Sequence, residues 1–363
     1  MMGNKPFAFA QTNTAALITA VLLLAVLSAV GCSRNEDDSD KTETQQETAV
    51  SAAVGSSNNE DGSDGTVTPQ ASAVTDSASL ILNPEKLTIT VTATTADGSA
   101  VTVEGCTETT LESDTETTLH AQDTTVILKG NITALSCNRN LLTALNVQDL
   151  SALQRLNCSN NQLTELDVQG LRALQWLWCA DNRFTALNVQ GLSTLQVLYC
   201  KNNLLTSLNV QDLSTLQELN CANNQLISLN VQGVSALQEL LCGDNQLTEL
   251  DVQGLNALQE LDCIGNQLTE LDVQDLSALQ WLDCSDNQLN AQAFTSLLTG
   301  LPARLPRDDA ESILYAEDSE EGNHTDFTAP AELYTAFQNA KTKNWKLYKW
   351  DSGRNDVVTF SHG

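Results

Sequence analysis

The chain has 363 residues, with 17 Lys and Arg against 46 Asp and Glu, a formal net charge of −29. A surface this acidic repels phosphate backbones, which argues against nucleic acid and against a folded surface that holds anionic lipid. Only 4% of residues are aromatic, while Leu, Asn, Gln and Thr abound, a composition that fits a thin repetitive core better than one large globular core.

At the N-terminus, Lys5 precedes an apolar run from Ala15 to Val30 broken only by Thr19 and Ser28. About sixteen residues is short for a spanning helix and suits a signal-peptide core. The run ends Ala29-Val30-Gly31-Cys32, which resembles the lipobox of bacterial lipoproteins, with Ala29 where Leu is more usual. That resemblance implies a signal peptide over residues 1–31 and a diacylglycerol on the Cys32 thiol, so that the membrane is reached only through this lipid. Ordinary secretion with Cys32 incidental is the plainer alternative.

Residues 32–79 read as a linker. Between Ser33 and Ser79 there are ten acids, two basic residues (Arg34 and Lys41) and no aromatic residue, too little apolar surface to offset the entropy of ordering. Asn58 to Gly65 has a faint calcium-loop look, but the ligand spacing and terminal Glu are missing. Residues 80–131 read as a small β cap. Leu87 to Ala93 alternates apolar residues with Thr, Asp97-Gly98 is a hairpin-turn signal ahead of Ala100–Val103, and Val126-Ile127-Leu128 is a further strand.

From Ile132 to Leu289 the chain is periodic. Cysteines fall at 137, 158, 179, 200, 221, 242, 263 and 284, every step being 21 residues, and an Asn follows three positions after each. One unit runs Leu153-Gln-Arg-Leu156-Asn-Cys158-Ser-Asn-Asn161-Gln-Leu163-Thr-Glu-Leu166-Asp167-Val168-Gln-Gly-Leu171. The LxxLxCxxNxL segment resembles the leucine-rich-repeat signature with Cys for its third Leu, and the LxxL(D/N)V half resembles the short bacterial class. The implied fold is an α/β-type leucine-rich-repeat solenoid of short parallel strands with a mostly irregular convex side. Leu and Cys point inward and stack, and the Asn satisfies backbone groups where the chain bends away from the strand. Eight strands at about 4.8 Å give a sheet roughly 34 Å long.

The last copy fails at Gln292. Residues 290–363 read as an α+β C-terminal cap, with a helix at Ala291–Leu298, a strand at Ser312–Ala316, a helix at Pro330–Lys343 and an amphipathic segment at Trp345–Trp350.

The cysteines lack the close spacing of a zinc site, and the three histidines (His120, His324, His362) lie outside the array. Stacking in register holds Cβ atoms too far apart for disulfides, so the reading is a structural thiol ladder, with no metal and no cofactor. Phosphate-binding loops, GxSxG elbows and HExxH motifs are absent, and no acid–base pair stands out, so no enzymatic activity is expected.

Specificity then rests on the positions flanking the inward strand Leu. One row reads Arg155, Trp176, Val197, Glu218, Glu239, Glu260, Trp281, and the other Asn157, Trp178, Tyr199, Asn220, Leu241, Asp262, Asp283. Arg155, Trp176, Trp178, Tyr199 and Lys201 form an expected aromatic and basic patch. Glu218, Glu239, Glu260, Asp262 and Asp283 form an acidic strip. Trp, Tyr and Arg dominate binding hot spots, although free drift at these positions is the plainer explanation. The whole pattern resembles the BspA-like surface lipoproteins of bacteria. That resemblance implies a lipid-anchored outer-membrane or cell-surface protein that adheres to host matrix proteins or other bacterial cells. Carbohydrate stacking on the aromatic residues, or a structural role facing the periplasm, are the alternatives.

Overall fold

The computed structural model describes residues 76–316, 322–351 and 354–358. The chain divides into two units, Met1–Thr68 and Pro69–Gly363, and every described residue belongs to the second. The expected signal peptide, Cys32, the acidic stretch to residue 75 with its calcium-like loop, and His362 lie outside the described residues.

Six strands precede the repeats: β1 (Ser77–Ile81), β2 (Thr88–Thr95), β3 (Val101–Glu104), β4 (Thr110–Leu111), β5 (Thr117–His120) and β6 (Thr125–Lys129). The repeats contribute β7 (Ile132–Ser136), β8 (Ala144–Asn146), β9 (Arg155–Asn157), β10 (Trp176–Trp178), β11 (Val197–Tyr199), β12 (Leu208–Asn209), β13 (Glu218–Asn220), β14 (Leu229–Asn230), β15 (Glu239–Leu241), β16 (Glu260–Asp262) and β17 (Trp281–Asp283). Then come α1 (Ala291–Gly300), β18 (Glu311–Ala316), α2 (Ala331–Thr342), β19 (Lys346–Asp351) and β20 (Arg354–Val357).

The eight strands β7, β9, β10, β11, β13, β15, β16 and β17 stack in parallel, one per coil, and the sheet continues in parallel through β18 and β19. From Leu135 and Leu156 to Leu282, the inward Leu of each repeat strand stands in register with its equivalents in the neighbouring repeat strands, with Ala93 of β2 beside the first and Ser312 of β18 beside the last. These leucines are buried, as are the eight cysteines and the Leu163-Leu166-Val168-Leu171 set of each coil. The far side of the coils is built of turns, such as Leu171 N–H to the Val168 carbonyl at 3.2 Å and Leu192 N–H to Val189 at 3.3 Å. This is the expected α/β-type solenoid with an irregular convex side.

The Asn ladder fastens coil to coil. Asn182 Nδ2 donates to the carbonyls of Cys158 (3.0 Å) in the preceding coil and Cys179 (3.2 Å) in its own, while its Oδ1 accepts from Leu163 N–H at 3.1 Å. The pattern repeats at Asn161, Asn203, Asn224, Asn245, Asn266 and Asn287. One position earlier, the chain enters the left-handed region in every coil. Arg139, Asn160, Asp181, Asn202, Asn223, Asp244, Gly265 and Asp286 hold φ between 52° and 64°. Asn, Asp and Gly tolerate that region best, so this position is as constrained as the ladder Asn, although it varies in letter.

Both ends continue the ladder. Asn140 exchanges hydrogen bonds with the backbone of Thr90 on β2, donating at 2.7 Å and accepting at 3.0 Å. Strand β2 pairs antiparallel with β7 and so covers the first coil. At the other end, buried Asn323 accepts from Leu289 N–H at 2.8 Å and donates to the carbonyls of Cys284 and Leu314, both at 3.0 Å. Phe294 on α1, Phe327 and Phe337 on α2 close the core beyond the last coil.

The cap departs from expectation in two places. Asp97-Gly98 does not close a hairpin: β2 pairs with β5 and β7, and β3 with β4 and β6 in a second sheet. Both edges of β2 are already taken, so the turn carries the chain from one sheet to the other. Strand β1 starts at Ser77, inside the stretch read as linker, because its alternating Ala78 and Leu80 are buried between β6 and β8. Gly105, at φ +85°, lets the cap close, since a Cβ there would lie 2.2 Å from the Thr125 carbonyl oxygen.

Cys106 and all eight ladder cysteines are free thiols and buried. Burial pushes the thiols up, to about 12 for Cys137 and Cys200 and to about 11 for Cys106, where Glu108 adds to it. Thiolate is the reactive form, so a thiol reagent should label these nine only as fast as the native chain unfolds. Labelling of any ladder cysteine in seconds under native conditions would contradict the packing. Asn245→Ala should cost about 3 kcal/mol or more in chemical denaturation, because it strands Leu226 N–H and the Cys221 and Cys242 carbonyls in the core. A loss below about 1 kcal/mol would mean that the amide is replaceable there.

Candidate functional site

A strand residue on either side of an inward Leu must point outward. The two flanking rows therefore occupy the outer face of the parallel sheet, the face read as concave. Register fixes their order: Arg155 stands beside Trp176, then Val197, Glu218, Glu239, Glu260 and Trp281. In the second row Asn157 stands beside Trp178, then Tyr199, Asn220, Leu241, Asp262 and Asp283.

Within the expected aromatic and basic patch, Arg155 and Trp176 are in contact. The Arg155 guanidinium carbon lies 4.7 Å from the Trp176 ring centroid, close enough for a cation–π contact. Trp178 and Tyr199 are direct neighbours across β10 and β11, and both are half-buried. Lys201 follows two residues after Tyr199 and is also half-buried. The Tyr199 hydroxyl donates to Glu218 Oε2. This bond joins two patches that the sequence alone presents as separate. Burial first, and Glu218 second, push the Tyr199 hydroxyl well above its usual range, so it stays a donor.

The acidic residues divide by environment. Glu218, Glu239 and Glu260 stand in register on consecutive strands, half-buried at the first two positions and exposed at the third. Partial burial, then Glu260 and Glu218, raise the Glu239 carboxyl. Asp262 and Asp283 are also neighbours in register. Burial pushes Asp262 up to about 6, although the Ile264 N–H donates to it. Asp283 is only 7% exposed and is pushed up to about 7 by burial and by Asp262, against hydrogen bonds from Ser285 N–H (3.0 Å) and Oγ (2.6 Å). Asp283 thus belongs to the expected strip by position but offers little surface to a partner.

The face extends further than the repeats. β18 and β19 continue both rows with Glu311 and Lys346 beyond Trp281, and with Ile313 and Tyr348 beyond Asp283. Lys346 pairs with Asp309 and, at 3.3 Å, with Glu311. The 21-residue count stops at Leu289, which hides this extension. The sequence signal for it is the alternation Lys346-Leu347-Tyr348; Glu311-Ser312-Ile313, with Ser at the inward position, carries none. Among the described residues, no group of three or more His, Cys, Asp or Glu is placed to hold a metal ion.

In comparison with known proteins, the Leucine Rich Repeat family matches residues 152–174. No curated protein sequence matches the chain. Among solved structures, the functional domain of InlJ from Listeria monocytogenes, described as including a cysteine ladder, is 29% identical with a TM-score of 0.49. The match covers 64% of this chain and 46% of that one. A leucine-rich-repeat protein of Leptospira interrogans is 26% identical with a TM-score of 0.46, over 61% of this chain and 55% of that one. YopM from Yersinia enterocolitica is 26% identical with a TM-score of 0.40, over 51% and 37%. The chain thus spans about half the length of the first two.

The buried carboxylates make stability depend on pH. A carboxyl raised on folding contributes stability that is fully present below its ordinary range and is lost as pH rises through its folded value, here about 6 for Asp262 and about 7 for Asp283. The melting temperature should therefore rise on going from pH 8 to pH 5. Asp283→Asn should raise it at pH 8 and flatten the dependence, whereas an unchanged profile would show that Asp283 is not ionised at cost. The in-register coils with their Leu and Asn ladders form a leucine-rich-repeat solenoid, and the Leucine Rich Repeat match at residues 152–174 falls within it.

Proposed function

We propose that the outer face of the sheet binds protein partners, and that the chain is displayed from a bacterial envelope by a lipid on Cys32. Solenoids of this class present a broad, exposed sheet as a protein-binding module, and they are typically non-enzymatic scaffolds. The observation that carries the reading is the placement of Trp176, Trp178, Tyr199 and Trp281 on one outward face, in a chain with 5 Trp and 4 Tyr in all. The core does not need them there, and half-exposed Trp and Tyr are characteristic anchors of interfaces. The BspA-like resemblance points the same way, to adhesion on host matrix proteins or on other bacterial cells. No helix among the described residues is long and apolar enough to cross a membrane.

In this reading residues 1–31 are removed, residues 32 to about 76 form a self-repelling tether, and residues 290–363 close the array. Arg155, Asn157, Trp176, Trp178, Tyr199 and Lys201 form one contact region, and Glu218, Glu239, Glu260, Asp262 and Trp281 a second. Carbohydrate is the second reading, favoured by the in-register Trp178 and Tyr199 pair and weakened by Arg155, which already covers the Trp176 ring.

Full-length protein should bind one or more immobilised matrix proteins, with Trp178→Ala and Tyr199→Ala each weakening binding about tenfold or more at an almost unchanged thermal transition. Retained affinity in both variants would overturn the choice of face, and binding to a glycan array in place of proteins would favour the second reading. Protease treatment of intact cells should remove the protein, and survival of the full-length chain would place it on the periplasmic side.

A further inference from the structure

The acids of the second half of the solenoid are not equivalent. From Asn202 to Ala303 the sequence holds 13 Asp and Glu and no Lys, Arg or His. Most of these acids do structural work. Asp212, Asp244, Asp275 and Asp286 occupy left-handed positions, with φ of 63°, 52°, 71° and 53°. Asp251 and Asp272 accept from Gln253 and Gln274 N–H and from the side chains of Gln232 and Gln253. Asp262 and Asp283 receive backbone N–H groups.

Glu218, Glu239 and Glu260 have no such duty toward the backbone. Like charges directly opposite each other on neighbouring strands are destabilising, and three stand in a row here. Ion pairs are found in the N-terminal cap and around Lys346. The strip is bounded by outward Trp281 and runs alongside half-buried Leu241, which gives the face apolar footing beside its charge. Within the strip, Glu218 accepts from the Tyr199 hydroxyl.

Spacing narrows what complements this row. Strands about 4.8 Å apart set the three carboxylates over roughly 10 Å. Same-face residues of an extended peptide recur about every 6.8 Å and would overrun the row. Residues i, i+4 and i+7 of a helix span roughly 10 Å at about 1.5 Å per residue.

We propose that the outer sheet face from β13 to β17 docks a basic helical segment of a protein partner, with Lys or Arg side chains in one i, i+4, i+7 row against Glu218, Glu239 and Glu260. This rests on the reading of the face as a protein-binding surface. The aromatic end around Trp178 then holds a neighbouring part of the same partner.

The test uses full-length protein and fluorescein-labelled alanine-rich helical peptides, read by fluorescence anisotropy at 50 and 200 mM salt. One peptide carries Lys at i, i+4 and i+7, a second carries Glu at these positions, and a third carries the same three Lys around the helix. The first should bind more tightly than the third, and the second should not bind. Glu218→Gln, Glu239→Gln and Glu260→Gln together should weaken the first peptide at least tenfold and remove most of its salt dependence. Glu165→Gln, Glu249→Gln and Glu270→Gln together remove the same charge from exposed turns off the sheet, and should change binding less than twofold. An equal loss in both triple variants would reduce the effect to net charge and overturn the proposal, as would equal binding of the scattered-Lys peptide. If the strip variant binds the peptide normally while Trp178→Ala still abolishes matrix binding, only this inference fails. If neither variant affects matrix binding, the choice of face fails with it.

Discussion

The carboxamide of one Asn per coil is the interaction on which the rest of the solenoid depends. Each coil turns sharply just after its strand, inside the core, where backbone groups find neither water nor a sheet partner. Asn182 settles this by donating to Cys158 and Cys179 and accepting from Leu163. An unpaired buried backbone group costs about 1–3 kcal/mol, and the amide prevents several such losses at once. It also ties each coil to the one before, so the 21-residue period is a hydrogen-bonding constraint as well as a packing one.

That dependence explains the ends. A ladder that satisfies each coil through the next leaves its terminal members unsatisfied. Thr90 closes the first, with its own backbone exchanging hydrogen bonds with Asn140. Asn323 closes the last after a long excursion of the chain, by reproducing the donor and acceptor geometry of a repeat Asn. The caps are thus continuations of the ladder in sequences that do not repeat. Buried Ser312 stands where the stacked leucines would place another Leu, and its hydroxyl has no hydrogen-bond partner, so the match at this end is imperfect.

Because Leu, Cys and Asn fix the coil, the outward rows are released from the demands of folding. They carry the features that folding would not choose: aromatic rings half in water, three glutamates in register, and two aspartates whose burial raises them toward neutrality. Burial matters as much as position in this face. Asp262 and Asp283 are the same letter at the same position of neighbouring coils, yet the second, beside β18, is buried and the first half-buried.

The sequence by itself determined the repeat, its inward and outward letters and the role of the ladder Asn, because identical coils in identical register make local spacing and spatial neighbourhood the same thing. It also put Trp176 next to Arg155 and Trp178 next to Tyr199 by counting alone. Where the period stops, that equivalence fails. Only the tertiary structure decided that β2 and β3 part into different sheets, that Asn323 and Thr90 finish the ladder, and that β18 and β19 prolong the outward face with Glu311, Lys346 and Tyr348. The same holds for the Tyr199–Glu218 bond, which joins two halves of the face, and for the burial of Asp283. Each of these depends on which distant segment fills a place at an edge or over a side chain, and non-repeating contacts of that kind leave no periodic mark in the chain.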